Sequence, residues 1–359
     1  MSRRCVRNER LFTARRCVPV SLLLWGFLLA APQSRAQVTL GPVTLGAGLR
    51  TSYTHSDGDV GNSTDSFAVN DARLYVNGPV TDKIKFMFNT DYDGATDHVA
   101  ILDAVARFEF SKKFNIWAGR FLEPSDRANL YGPFYAHNWA VYTDGVQNGQ
   151  PSVFQGRDNG VAYWGDFGKK TKVKVSGGVF DGRSADGNPD VISAARVQID
   201  FWDAEDGYYL NGTYYGDKNL LAIGGSTQIQ SGNTANTFDF LLEKKLGNGG
   251  AFSIEAEYAD YNGLGGYLPG AKKSQGAYGL GSYIFPKPVG MGKFEILGKF
   301  AKVESMGQTL TVTQKTTEVN LNYIIKQFNA RIATFYKDVR FNKTNPNTWQ
   351  VGVGLQIQM

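Results

Sequence analysis

Charged side chains recur at every second position in several stretches of this chain, an arrangement that can attract ions along a surface. Lys172 and Lys174 alternate with valines, and Glu255 and Glu257 alternate with apolar residues. Because side chains two positions apart in a strand share a face, each pair lies on one polar face. This spacing predicts a charged wall that attracts ions rather than a catalytic centre.

Groups that usually carry catalysis or bind metals are sparse. His55, His98 and His137 are far apart in sequence and form no metal pattern, and both cysteines precede residue 37. The rest of the chain therefore has no Cys-based zinc site, thiol nucleophile, c-type haem attachment or disulfide scaffold. An outer-membrane hydrolase is an alternative through His98, which borders a predicted strand but has no obvious serine partner. We expect no enzyme activity, cofactor or metal.

Residues 1–36 are predicted to be a secretory signal peptide. An arginine-rich start is followed by an almost wholly apolar run over 17–31, and Ser34-Arg35-Ala36 has small residues where a signal peptidase requires them. A short transmembrane anchor is the alternative, but the run is shorter than the roughly 20 residues that a spanning helix needs. The segment holds seven of the 38 basic residues and one of the 33 acidic residues. The remainder is therefore nearly neutral and has no basic excess to bind nucleic acid.

Apolar and polar residues alternate along 37–359, which predicts an all-β chain. Ile84, Phe86 and Phe88 fall on one parity, with Lys83 and Lys85 on the other. A soluble sandwich would bury such apolar faces in a protein core, whereas a membrane barrel turns them to lipid and lines its lumen with the polar set. Strands of about ten residues, alternating short and long connections, and aromatics at strand ends favour the barrel.

The connections predict a sixteen-stranded antiparallel transmembrane β-barrel. Bacterial barrels have an even number of strands, so Tyr208–Tyr215 is assigned to a long periplasmic connection, 202–219, rather than to a seventeenth strand. The short connections are predicted to face the periplasm as well. The longer ones, including 230–236, are predicted to face the outside. The predicted strands are 43–54, 67–77, 83–92, 99–110, 114–121, 156–167, 170–180, 191–201, 220–230, 237–246, 251–261, 274–285, 293–303, 312–325, 328–339 and 348–359.

The longest predicted loop, 122–156, is expected to fold into the barrel as a constriction. A sixteen-stranded barrel is wide enough to leave an aqueous channel, which must be narrowed if it is to select. Inward folding would bury the loop's aromatic residues against the barrel wall. The alternative is an external flap that packs on neighbouring loops. The aromatics concerned are Tyr131, Phe134, Tyr135, Trp139 and Tyr142.

Inward charges are predicted to form two opposed walls. Basic residues lie mainly on the first five strands and acidic residues on the tenth and eleventh, which would set up a transverse field across the pore. Arg120 is placed inward because an arginine facing lipid would cost about 2–4 kcal/mol, whereas Trp117 and Phe121 suit lipid. Alternatively, the charges only pair and hydrate the lumen. The predicted pore-lining residues are Arg50, Arg73, Lys85, Arg107, Arg120, Arg127, Lys172, Lys174, Asp239, Glu243, Glu255 and Glu257.

Four short motifs follow one another along the chain: DARLYVNG at 71–78, FNTDY at 88–92, GRFLEP at 119–124 and RDNG at 157–160. Their order and spacing resemble the phosphate-selective porin O and P family, over roughly 70–359. The resemblance implies a sixteen-stranded, trimeric outer-membrane channel with an inward-folded third loop. It also implies a preference for anions, and in the best-known members for phosphate through arginines on that loop.

The loop of this chain departs from that pattern. Residues 122–156 contain a single arginine, Arg127, against Glu123, Asp126 and Asp144. We therefore expect a porin of a Gram-negative outer membrane that passes small hydrophilic solutes and ions with a weak preference for anions, phosphate included. Its expected partners are outer-membrane lipid, small anions and further copies of the chain in a homotrimer. A sheath around a periplasmic or extracellular partner, such as a cytochrome, is the alternative function.

Overall fold

The computed structural model describes residues 38–94, 97–151, 156–169, 171–183, 187–266, 271–307, 310–342 and 345–359. The expected signal peptide, 1–36, lies outside the described residues. No helix within these ranges is long and apolar enough to cross a membrane.

Sixteen antiparallel strands close into a barrel, which confirms the predicted fold class. Strands β2 to β17 pair in sequence order, and the ring closes where β17 pairs with β2, with Leu355 opposite Thr51. A three-residue strand, β1, precedes the ring and pairs with the start of β2; it was not predicted. The strands are β1 Val38–Leu40, β2 Val43–Gly58, β3 Thr64–Pro79, β4 Ile84–Asp93, β5 His98–Ser111, β6 Phe114–Leu122, β7 Arg157–Phe167, β8 Lys172–Phe180, β9 Ile192–Asp200, β10 Leu220–Gln230, β11 Asn233–Lys245, β12 Ala251–Asn262, β13 Lys273–Ile284, β14 Lys293–Met306, β15 Thr311–Lys326, β16 Ala330–Phe341 and β17 Thr348–Gln358.

The strands are polar on the inside and apolar on the outside, the reverse of a soluble protein. On β12, Glu255 is completely buried on the lumen side, whereas the preceding residue, Ile254, is 45% exposed on the outer wall. Lys299 and Phe300 on β14 show the same contrast. An apolar outer wall over a polar lumen is the arrangement of a barrel whose surrounding solvent is lipid.

The two ends of the barrel differ in their connections. At the loop end, connections include 123–156, 181–191 and 263–272, whereas most connections at the turn end are short, such as 112–113. The turn end also has the long connection 201–219, which contains no strand.

One predicted loop is absent from the loop end. The connection after β10 is the two residues Ser231 and Gly232, both with positive φ, as a tight type I′ hairpin requires. The longer loop predicted over 230–236 is therefore wrong, because β11 begins at Asn233.

The outward position of Val197, 47% exposed near the middle of β9, gives a test of the barrel register. Val197→Arg should lower the free energy of unfolding by about 2–4 kcal/mol, because it places a cation in the lipid band. The measurement is urea unfolding in lipid vesicles, with assembly followed by the mobility of unboiled protein in gels. Val197→Leu is the control and should behave as wild type. Equal stability of the arginine variant would contradict the outward register.

Candidate functional site

The loop after β6 folds into the lumen, as predicted. It forms one short helix, α1 (Arg127–Tyr131), and two 3-10 turns, at Pro133–Tyr135 and Gln147–Gly149. Most of its side chains between 123 and 150 are buried. We call the described part of this loop, 123–151, the inward loop.

Local sequence explains how the inward loop packs on the wall. Asp126 caps α1 by accepting a hydrogen bond of 2.7 Å from the backbone N–H of Asn129. The ring of Trp139 fills the space that a Cβ atom would occupy at Gly354 on β17. The guanidinium of Arg50 lies over the Trp139 ring, 4.3 Å from the ring centre.

The inward loop is held to one side of the lumen by hydrogen bonds to carboxylates. The hydroxyl of Tyr131 donates to Glu255 on β12 at 2.9 Å. Glu318 on β15 accepts from the side chain of Asn138 at 2.8 Å and from the backbone N–H of Trp139 at 3.1 Å. These carboxylates are buried, so each needs such donors to offset its lost hydration.

Two buried ion-pair contacts add to this attachment. Nε2 of His137 lies 2.8 Å from Glu295, and Nζ of Lys299 lies 2.6 Å from Asp144. Burial opposes protonation of His137, but the charge of Glu295 and its hydrogen bond raise the pKa of the imidazole above its ordinary value. The contact therefore favours the charged histidine.

Arg127 is fully buried in the lumen between two acids. Its Nη1 donates to Glu205 at 2.9 Å, and its Nε lies 3.7 Å from Asp239 on β11. Burial alone would raise the pKa of Glu205, but the charge of Arg127, with its hydrogen bonds, lowers that pKa to about 2. The single arginine of the loop is thus bound in an ion pair and does not line an open space.

The connection 201–219 also enters the lumen and meets the inward loop there. The backbone N–H groups of Leu210 and Gly212 donate to the carbonyls of Leu130 at 3.2 Å and Tyr135 at 2.9 Å. The hydroxyl of Tyr208 donates to the carbonyl of Leu122, the last residue of β6, at 2.8 Å. We call 201–219 the inward connection. The sequence predicted a long connection here but not its entry into the lumen, and its periplasmic side stays a prediction.

β6 faces the opposite way from the prediction. Trp117 and Phe121 point into the lumen, where their ring centres lie 4.8 Å and 5.9 Å from that of Tyr208. Arg120 is on the outer face and donates to Asn159 on β7 at 3.0 Å. The inward placement of Arg120 is wrong because the inward connection supplies an aromatic partner for Trp117 that the strand pattern did not reveal.

A cavity of about 390 Å³ is left between the inward loop and the basic strands. Its charged lining consists of Arg50, Arg73, Arg157 and Asp71. The loop contributes uncharged polar groups and small apolar surfaces on the other side. The loop residues that line it are Asn129, Pro133, Val141, Tyr142, Gln147, Asn148 and Gln150.

The arginines of the cavity are held in place by acids behind them. Nε of Arg73 donates to Asp91 at 2.9 Å, and Nε of Arg157 lies 3.3 Å from Asp103. Such pairing fixes each guanidinium while leaving it next to the open space.

Other predicted basic residues also lie on the inner face, but outside this cavity. Lys85 lies 2.6 Å from Glu109, to which Arg107 is also close. Lys174 is buried beneath the inward connection, and Lys172 lies near the turn end of β8.

The four predicted acidic residues face the lumen but do not line an open wall. Glu243 accepts from the backbone N–H of Tyr214 at 2.8 Å and so anchors the inward connection. Asp239 and Glu255 bind the inward loop as described above, and Glu257 lies beneath it. Among the described residues, no three His, Cys, Asp or Glu side chains are arranged to hold a metal ion.

Two residues that lie in the lumen were not predicted from the sequence to line the pore. Arg157 lines the cavity. Its position directly after the longest predicted loop could have indicated that it lies beside the constriction. Glu205 lies in the inward connection, and nothing in the alternation pattern could indicate that this connection enters the lumen.

Comparisons with known proteins support the fold. No protein-family model matches the chain, and a search of curated protein sequences finds no match. Among solved structures, OmpF of Salmonella typhi in complex with daunomycin has a TM-score of 0.61 at 10% identity, covering 90% of this chain and 100% of that chain. An anion-selective porin from Comamonas acidovorans has a TM-score of 0.57 at 11% identity, covering 88% and 99%. The trimer form of Vibrio cholerae OmpT has a TM-score of 0.55 at 10% identity, covering 89% and 100%. The fold is therefore that of sixteen-stranded outer-membrane porins.

The buried pair of Arg127 and Glu205 predicts how firmly the inward loop is held. Arg127→Met leaves a buried carboxylate without its cation, which should weaken loop docking by about 3–5 kcal/mol. Adding Glu205→Gln should recover much of that loss, because the remaining group is neutral. Protease cleavage within the loop of the folded protein, together with single-channel current noise, measures the docking. Equal loosening in the single and double variants would contradict this coupling.

Glu123 predicts that the inward loop loosens as pH rises from acidic values to about 8. Burial, and then the charge of Asp158, raises the pKa of Glu123 to about 8, although the hydrogen bond from Gln228 opposes the shift. A carboxyl with a raised pKa stabilises docking in its neutral form, so its contribution is complete below its ordinary pKa and falls as pH rises toward about 8. Current noise should increase over this range. Glu123→Gln should flatten the dependence, and an unchanged profile in that variant would contradict the assignment.

Proposed function

We propose that this chain is an outer-membrane porin through which small hydrophilic solutes and ions diffuse passively, with a weak preference for anions, phosphate included. The observation that carries the proposal is the 390 Å³ cavity, whose charged lining is three arginines and one aspartate. The fold shared with solved porins supports the channel, and the lining supports the sign of its preference.

The positive sign follows from how the two sides of the lumen are used. The acids on the far side are covered by the inward loop and the inward connection, whose N–H and O–H groups donate hydrogen bonds to them. The arginines on the near side border the remaining space. In a narrow, poorly hydrated constriction, each charge acts more strongly than in bulk water. A permeating anion therefore gains more than a cation.

The preference is weak because the inward loop adds no positive charge to the cavity. Gln147, Asn148 and Gln150 face the open space with neutral amides. Arg127 is bound by Glu205. A strict phosphate filter would need several converging cations at the constriction. Phosphate is accordingly proposed as one of several permeant anions.

The remaining properties rest on the motifs and on the porin fold. We place the chain in the outer membrane of a Gram-negative bacterium as a homotrimer, after removal of residues 1–36. The neighbour from Comamonas acidovorans is an anion-selective porin and the Vibrio cholerae neighbour is a trimer form, and both are consistent with this proposal. The sheath alternative has less support, because two segments of the chain itself occupy the lumen.

Reversal potentials across a KCl gradient test the proposal. Wild-type channels should show a modest chloride preference, and Arg73→Gln combined with Arg157→Gln should abolish it by removing two of the three positive charges at the cavity. Arg73→Lys is the charge-preserving control. Arg120→Gln should have no effect, since Arg120 faces outward. Strong cation selectivity, or block of chloride current by micromolar phosphate, would contradict the proposal.

A further inference from the structure

Three cations lie side by side on the outer wall of the barrel near the loop end. Lys302 on β14 is directly opposite Lys315 on β15, which is directly opposite Arg340 on β16. All three are exposed and share the outward parity of the lipid-facing Phe300. Like charges directly opposite one another in a sheet are destabilising. We call these three residues the cationic row.

The cationic row is incompletely neutralised by the chain itself. Lys302 donates to Glu304 at 2.7 Å, and Arg340 donates to Asp338 at 2.8 Å. Lys315, between the other two cations, has no ion pair with a carboxylate in the described part of the chain. The charge of Asp59 also acts on Arg340, so the unpaired charge of the row lies at Lys315, where an external anion would offset it.

The cationic row lies at the level expected for lipid headgroups. Trp349 is directly opposite Asp338, and its ring centre lies 6.4 Å from that of Tyr336. Tryptophan and tyrosine on a barrel's outer wall mark the boundary between hydrocarbon and water. Arg340 lies two residues beyond Asp338, toward the loop end.

An apolar groove lies below the cationic row on the same wall. Gly281 and Gly298 are directly opposite each other, and a Cβ atom at either would meet nothing within 4 Å. Ile254, Ile296 and Val319 flank them, and the open, shallow groove has a volume of about 450 Å³. Glycine inside a strand often marks close approach of a ligand or of another backbone. Gly298 is four residues from Lys302, or roughly 13 Å along β14.

We propose that the cationic row and this groove together bind one anionic lipid, with its headgroup phosphate on the row and an acyl chain over the two glycines. The charge excess and the apolar groove lie in one line along the strands, as the two parts of a lipid do. This inference concerns the outer wall and does not depend on what passes through the lumen.

Native mass spectrometry of the full-length protein, released from detergent micelles, tests the proposal. The probes are phosphatidylglycerol and phosphatidylcholine with identical acyl chains. Wild type should retain phosphatidylglycerol severalfold more than phosphatidylcholine. Lys315→Gln and Arg340→Gln should each weaken that retention about fivefold, the effect of one cation near a membrane surface. Gly281→Val with Gly298→Val should reduce retention of both lipids by filling the groove.

Arg120→Gln, an outward cation on another part of the wall, is the control and should leave lipid retention unchanged. Gel mobility of unboiled samples establishes that each variant is folded. Equal retention of the two lipids by wild type, or unchanged retention in the lysine and arginine variants, would overturn the proposal. A change in oligomeric state with no change in bound lipid would overturn it as well, because the groove would then be a contact between copies of the chain.

Discussion

The structure depends on a set of carboxylates that the barrel turns inward on β11, β12, β14 and β15. A buried carboxylate costs several kcal/mol unless it is paired and hydrogen-bonded. The barrel wall supplies part of this need, as when Arg196 donates through both terminal nitrogens to Asp239. The remaining donors come from the inward loop and the inward connection. The buried carboxylates of the wall therefore need these two segments to dock against them.

This requirement determines where the lumen stays open. The two segments fill the acidic side, because the acceptors are there, and the cavity remains beside Arg50, Arg73 and Arg157. On that side each cation has its own acid in the wall, as Arg73 has Asp91, so no loop is needed to stabilise it. The proposed preference for anions rests on this placement of neutral loop groups opposite fixed arginines.

The fold could be predicted from the sequence because lipid and lumen impose an alternation of period two. That pattern gave sixteen strands and the inward side of Arg50, Arg73, Asp239 and Glu255. It failed on β6, where both parities carry large apolar residues, such as Ile116 and Trp117, and alternation cannot choose between them. Contacts with residues distant in sequence determine which face of β6 points into the lumen. Neither the lumen contact of Tyr208 nor that of Glu205 can be recognised from the sequence around it.

Arg127 illustrates why the site is harder to predict than the fold. A lone arginine on a constriction loop suggests attraction of passing anions. Arg127 instead lies beside Glu205 and Asp239 and forms ion pairs with these acids, which enclose it. In the proposed channel, the loop therefore narrows the lumen, and the strands supply the positive charges beside the open space. The selectivity proposed for this barrel rests on which charges remain beside open space, and counting charges along the loop does not reveal that.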